Sequence, residues 1–209
     1  NSIPNNLCPE LSKESMVVNV LIDNIRFLQQ RMQRPSVMDQ EHLEEGKYLL
    51  LTLNRKAIVN NIEEMKKLIS TIDGVARKAG IKVLAPLRGK ALGFVLAFKA
   101  YQDVADHQSG IMVVQPQGYL DFSYLAAHAM GVITDSGNVA EEATFNGVPC
   151  ITLNSYTEHL ETVTVGTNEL VAEDPEKLQL AMEKIVKGEW KKAGIPDRWD
   201  GRSAERIVQ

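Results

Sequence analysis

The 209-residue sequence predicts an α/β fold, a Rossmann-like parallel sheet with helices on both faces. Three observations carry that prediction. Short apolar, β-branched runs alternate with amphipathic stretches at least five times, the order expected of right-handed βαβ units. The runs are continuously apolar, as strands covered on both faces are. Polar turns gather after the strands, which makes one edge of the sheet the binding edge.

Residues 1–10 carry Pro4 and Pro9 and read as loop. Residues 12–33 read as a helix, because Val17, Leu21, Ile25, Leu28 and Met32 recur at spacings of four and three. That stripe packs on a neighbouring domain or on a second subunit, and the sequence does not choose between them. Residues 34–46 read as a polar connection. Lys47 to Leu53 is the first strand, and Asn54-Arg55-Lys56 follows at its carboxyl end. A helix is expected over 57–79, with Ile58, Ile62, Met65, Ile69 and Ile72 inward and Gly80 ending it.

The second strand is 81–85, followed by the basic turn Arg88-Gly89-Lys90 and a helix over 91–106. The third strand is 110–114. A loop follows, leading from about Phe122 into a helix that ends near Ala129. Val132–Thr134 is the fourth strand, Cys150–Leu153 the fifth, and Glu169–Val171 a short edge strand. Asp174-Pro175 places an N-cap and an N1 proline for a helix to about Lys187. Residues 190–196 read as irregular, and Ser203–Gln209 as a last helix. Two units follow: residues 1–46 as an interdomain or dimer element, and 47–209 as the Rossmann-like domain.

The net charge of -4 and pI of about 5.6 argue against nucleic acid or an anionic membrane as partner. No apolar run approaches the roughly 20 residues that span a bilayer. Cys8 and Cys150 lack metal-ligand spacing, so no metal site is expected, and Cys150 reads as a buried free thiol. A cytoplasmic setting fits this usage. The first residue is Asn1, so the chain is read as part of a longer protein.

The candidate site lies in residues 131–149. A strand runs into the tight turn Asp135-Ser136-Gly137, and Asn138 is expected to open a helix to about Asn146. Asn138 and Glu141 have capping-box spacing. A helix N-terminus offers unpaired N–H groups and a positive dipole end to an anion, worth about 0.3–1 kcal/mol when exposed. Strand–turn–helix junctions without a ligand are also common. Adjacent helix residues point roughly 100° apart, so with Glu141 in the box Glu142 is free. A carboxylate repels phosphate but suits sugar hydroxyls, which suggests a nucleotide or sugar-nucleotide. Both glutamates merely complementing the helix dipole is the other reading. Arg55 and Lys56 are placed to meet phosphates, or form a solvated basic turn. Phe122 is either a stacking surface for a base or a core residue. His128, among alanines, reads as an interior histidine. In the polar loop 154–161, His159 is a candidate proton carrier by type, without a visible partner.

Several blocks together resemble the carboxyl-terminal half of the non-hydrolysing UDP-N-acetylglucosamine 2-epimerases. They are Thr134-Asp-Ser-Gly137, Glu141-Glu142-Ala143, Gly147-Val-Pro149, Thr157-Glu158 with Glu161, and Val165-Gly-Thr167. Gln117-x-Tyr119-Leu120-x-Phe122, Asp200-Gly201 and Ala204-x-Arg206-Ile207 fit as well. The resemblance covers residues 47–209, with Asn1-Ser2 near the family's interdomain crossover. It implies a fold of the glycosyltransferase-B type with a UDP-sugar in the cleft, no cofactor, and a homodimer in the full-length form. It also implies an isomerase of cell-surface polysaccharide synthesis that inverts C2 by eliminating and re-adding UDP.

Carried over, Ser136, Gly137 and Asn138 fall on the phosphate-binding turn, Glu142 on the ribose, Phe122 beside the uracil and Arg55 on the strand-end motif. Glu158 and His159 are the catalytic candidates in this half. The family's acid–base carboxylates lie in an amino-terminal domain, so this chain alone is expected to be inactive. The sequence departs from the pattern at Asn54, Ala57, Asn138 and His159, where the sugar diphosphate falls. The donor half of a glycosyltransferase and a non-catalytic UDP-sugar-binding module are the alternatives.

Overall fold

The computed structural model describes residues 19–105 and 108–208. Cys8, the loop expected over 1–10 and the first part of the helix expected over 12–33 lie outside the described residues. Six parallel strands form one sheet: β1 (Tyr48–Leu51), β2 (Lys82–Pro86), β3 (Ile111–Val114), β4 (Gly131–Thr134), β5 (Cys150–Thr152) and β6 (Asn168–Leu170). Their order is β3-β2-β1-β4-β5-β6, with Leu50 in register with Leu84 on one side and Val132 on the other. The order reverses between β1 and β4, and open α/β sheets bind ligands outside the carboxyl ends of the strands at such a reversal.

The helices are α1 (Val20–Gln29), α2 (Ser36–Gln40), α3 (Lys56–Val59), α4 (Ile62–Ala79), α5 (Gly89–Val104), α6 (Tyr119–Ala127), α7 (Gly137–Phe145), α8 (Glu161–Thr164), α9 (Pro175–Val186) and α10 (Ser203–Val208). Among the described residues no helix is long and apolar enough to cross a membrane.

The sheet separates two core layers, because successive strand residues point to opposite faces. Leu49 and Leu51 join Met65, Leu68, Ile69 and Ile72 of α4 and Leu178 and Met182 of α9. Tyr48 and Leu50 join Met38 of α2, Leu125 of α6 and Ala140 and Ala143 of α7. Each of the fully buried Leu, Ile and Met side chains contributes about 1.5–3 kcal/mol relative to exposure. Ile22 and Ile25 of α1 pack with Trp199 and Phe145 in a third cluster.

Several boundaries differ from expectation. The helix expected to reach residue 33 stops at Gln29, and the polar connection after it holds α2, with Val37 and Met38 buried. The helix expected over 57–79 breaks at Asn60-Asn61. There the Asn61 side chain accepts the Glu64 N–H at 3.3 Å and starts α4 afresh. Ile62 therefore sits at the outer start of α4 and is 67 % exposed rather than inward. Gly80 does end α4, with φ +68 in the left-handed region. Helix α6 begins at Tyr119, before Phe122, and α8 was not expected. Asp174 caps α9 as expected, accepting from Glu176 and Lys177.

At the free edge of β3 the Lys99 ammonium donates to the Ile111 carbonyl oxygen. At the opposite end of the chain, Asp23 of α1 accepts the Ser203 and Ala204 N–H groups at 3.0 and 2.7 Å, which caps α10. Burial raises the Asp23 carboxyl and those two N–H bonds draw it down, for a net lowering.

Candidate functional site

The carboxyl ends of β1 and β4 are tied together where the sheet order reverses. The Thr52 and Thr134 hydroxyls lie 2.7 Å apart. Asp135, the residue after β4, is buried, and its Oδ2 accepts the N–H groups of Asn54 and Arg55 at 2.7 and 2.6 Å. The Arg55 guanidinium in turn donates to Asn154 Oδ1 at 2.6 Å, and Asn154 Nδ2 donates to the Asp135 carbonyl at 3.3 Å. Three strand ends thus meet at Arg55, Asp135 holding its backbone and Asn154 its guanidinium.

Helix α7 starts at Gly137, one residue earlier than expected. Ser136 occupies the N-cap with extended backbone, and its side chain makes no capping bond. The Thr134 hydroxyl takes the Ser136 N–H at 3.0 Å, so the turn is braced while the first amides of the nine-residue helix stay unpaired within it. Asn138 lies inside the first turn, so the expected capping box with Glu141 does not form.

Glu141 is instead buried and turned to Asn19 and His159. Its Oε1 receives Asn19 Nδ2 at 2.7 Å and faces His159 Nδ1 at 3.2 Å. Burial raises the Glu141 carboxyl, while His159 and Asn19 draw it down. His159 therefore has the partner that the sequence did not reveal. A second carboxylate, Glu161 Oε1, lies 3.7 Å from the same nitrogen.

A cleft of about 370 Å³ opens above these strand ends, and Arg55, Ser136, Gly137, Asn138, Glu158 and His159 are all in its wall. Six of the eight expected site residues are thus brought together. Phe122 and Glu142 are not in that wall. Phe122 is half-buried against the Tyr48–Leu50 layer. Glu142 is buried beneath α6, and burial pushes its carboxyl up to about 7, moderated by the Ser123 and Tyr119 hydroxyls. Partial desolvation, with Glu142 beside it, raises the Tyr119 phenol.

Cys150 is a buried free thiol, as read, and burial pushes it up to about 12. His128 is half-buried against the Tyr124 ring, its Nδ1 2.9 Å from the Tyr124 carbonyl. Among the described residues no three His, Cys, Asp or Glu side chains group as metal ligands.

The geometry matches a known family. The family model for UDP-N-acetylglucosamine 2-epimerase matches residues 5–209. The chain belongs to the UDP-N-acetylglucosamine 2-epimerase family. The epimerase of Methanocaldococcus jannaschii is 31% identical over 195 residues, 92% of this chain and 52% of that protein. The epimerase of Methanococcus maripaludis is 30% identical over 171 residues, 82% of this chain and 46% of that protein. A solved structure of the M. jannaschii epimerase in complex with UDP-GlcNAc and UDP superposes with a TM-score of 0.75 at 31% identity. It covers 95% of this chain and 56% of that one. The chain therefore spans about half the length of the curated epimerases it matches. The sheet is that of the Rossmann-like, glycosyltransferase-B type of fold that these epimerases share.

Two features of this epimerase-family site were not legible in the sequence. Asp135 organises residues 54 and 55 from another strand, and only the adjacency of β1 and β4 shows it. Asn154 reads in sequence as one polar residue of a loop, and its hold on Arg55 depends on β5 lying beside β4.

Proposed function

We propose that residues 47–209 form the UDP-binding half of a UDP-N-acetylglucosamine 2-epimerase, and that this chain alone is inactive. The observation that carries the reading is the uncapped start of α7 opening into a cleft that Arg55 also lines. On this reading the diphosphate rests on the Ser136–Asn138 turn, facing Arg55. The ribose hydroxyls meet Glu142 and the uracil lies beside Phe122. Both residues lie outside the cleft wall, Glu142 on α7, whose first turn lines the cleft, and Phe122 on α6, which packs against α7. The named ligands of the M. jannaschii complex, UDP-GlcNAc and UDP, are of the class this arrangement suits.

The whole protein's reaction on this reading inverts C2 of the sugar. UDP is eliminated from C1 and C2 and re-added with a proton on the opposite face. This half supplies groups that neutralise the departing diphosphate. Residues 1–46 serve as the interdomain or dimer element.

A half-site with one helix-terminus contact and one stacked base supplies about 1–5 kcal/mol, which is millimolar affinity or weaker. Isothermal titration of this chain with UDP is expected to give that value, and incubation with UDP-GlcNAc to give no UDP-ManNAc. Submicromolar UDP binding, or epimerisation by the chain alone, overturns the reading.

A further inference from the structure

We propose that Glu141 is a positioning residue for His159, turning the imidazole so that its Nε2 faces the anion on the Ser136–Asn138 turn. The inference rests on the UDP-binding reading of the cleft and assigns a role that the cleft wall alone does not reveal.

Glu141 does not line the cleft, yet it is 2 % exposed and its Oε1 faces two donors. Asn19 Nδ2 fixes that oxygen from the α1 side at 2.7 Å. The oxygen stands 3.2 Å from His159 Nδ1, within ion-pair distance of the charged ring. Nε2 and Cδ2 form the opposite edge of the ring. That edge is turned to the helix start, because a methyl group added at Gly137 would lie 4.0 Å from His159 Cδ2.

The backbone around the ring is also fixed. The His159 N–H donates to the Thr157 hydroxyl at 3.1 Å, and its carbonyl accepts from Thr162 Oγ1 at 2.7 Å. In its charged form the ring gives Nδ1–H to Glu141 and Nε2–H to an anion, a pair of charge-assisted bonds. Glu161 stands 3.7 Å from Nδ1. Glu158 and Arg55 share the cleft, and Asp197 and Arg198 line an adjoining cavity of about 650 Å³ that His159 also borders. Glu141 and Glu161 thus stand beside the inward nitrogen, while Arg55 and Glu158 share the cleft with the outward edge.

The test uses this 209-residue chain and two readouts. The first is the tautomer of His159, read without ligand by long-range ¹⁵N–¹³C correlation NMR and assigned by loss of its peaks in His159→Asn. The neutral ring is expected with its proton on Nδ1. In Glu141→Gln, which keeps an acceptor, the Nδ1 tautomer persists. In Glu141→Leu it gives way to Nε2–H. A wild-type ring protonated on Nε2 overturns the proposal, and that result does not depend on any variant folding.

The second readout is UDP affinity. Glu141→Leu and His159→Ala are each expected to weaken UDP by about tenfold, and the double variant by no more than either. Additive losses, or unchanged affinity in His159→Ala while the wild type binds UDP, overturn the role of His159 and leave the UDP reading standing. A wild-type chain that shows the Nδ1 tautomer but binds no UDP overturns that reading instead.

Discussion

Asp135 Oδ2 lies 2.6 Å from the backbone nitrogen of Arg55, which pins the residue whose guanidinium reaches Asn154. The same oxygen holds the Asn54 N–H at 2.7 Å. Replacing Asp135 by Ala removes the charged acceptor of two part-buried N–H groups at once. The loss for each unpaired donor is about 1–3 kcal/mol. Asp135→Ala is therefore expected to lower the melting temperature by roughly 5–10 °C in a chain of this size. Asp135→Asn, which keeps an acceptor, should lose less than half of that. A thermal melt followed by circular dichroism decides, and equal melting of Asp135→Ala and wild type would refute the account.

Asn154 acts one bond further out. Its Oδ1 takes the Arg55 guanidinium at 2.6 Å. Asn154→Ala removes the clamp and leaves the Asp135 contacts to the backbone in place. UDP affinity is expected to fall about 3–10-fold, in line with one charge-assisted hydrogen bond, while the melting temperature stays within a few degrees. A melting point that falls as far as in Asp135→Ala would show that Asn154 is structural and not a positioning residue for Arg55.

Glu142 gives a signed pH dependence. Burial raises its carboxyl from an ordinary 4.5 to about 7 in the folded chain. Below pH 4.5 folded and unfolded chains both hold the proton. Between about 4.5 and 7 the unfolded chain releases it first, so stability falls as pH rises through that window and is level above it. The full loss is about 3 kcal/mol. Glu142→Gln should flatten this part of the curve and leave the variant more stable than wild type at pH 8. Urea midpoints measured from pH 4.5 to 8 test it, and an undiminished slope in Glu142→Gln would assign the effect elsewhere.

Gly166 leaves no room for a side chain. A Cβ there would lie 2.4 Å from Thr144 Cγ2 and 2.6 Å from the Thr162 carbonyl oxygen. The carbonyl belongs to the backbone and cannot rotate away, so Thr144→Ala does not rescue the clash. Gly166→Ala is expected to destabilise by several kcal/mol, beyond the usual range of about 1–3 kcal/mol for overpacking. Gly194→Ala is the control, since its nearest neighbour, Val165 Cγ1, is 3.8 Å away. Soluble yield and melting temperature of the two variants separate them.

The fold was legible because strand burial is written into composition. Tyr48–Leu51 and Gly131–Thr134 are buried at every position, and continuous apolar runs say as much. Helix ends were legible where a single residue decides them, as at Gly80 and Asp174-Pro175. The break at Asn61 was missed even though Glu64 follows three residues later, because the apolar spacing runs straight through it and hides the cap. The capping box at Asn138 failed for the opposite reason. The spacing was present, but Glu141 gains more from Asn19 and His159, which the fold brings to it from distant parts of the chain. Contacts of that kind follow from strand order, and no local pattern encodes them. The site's wall could be assembled by residue type and resemblance, whereas its wiring through Asp135, Asn154 and Glu141 could not.

The lysine at the margin of the sheet has a consequence for how copies of this chain meet. β3 offers its outer carbonyls to solvent, and an open row of that kind invites a strand from another molecule. The Lys99 ammonium occupies the Ile111 oxygen and leaves a positive charge where an incoming strand would have to lie. A Lys99→Met chain would bare that row and add an apolar side chain beside it. Its failing would be one of crowding rather than of folding: unchanged in dilute solution, and increasingly turbid as it is concentrated.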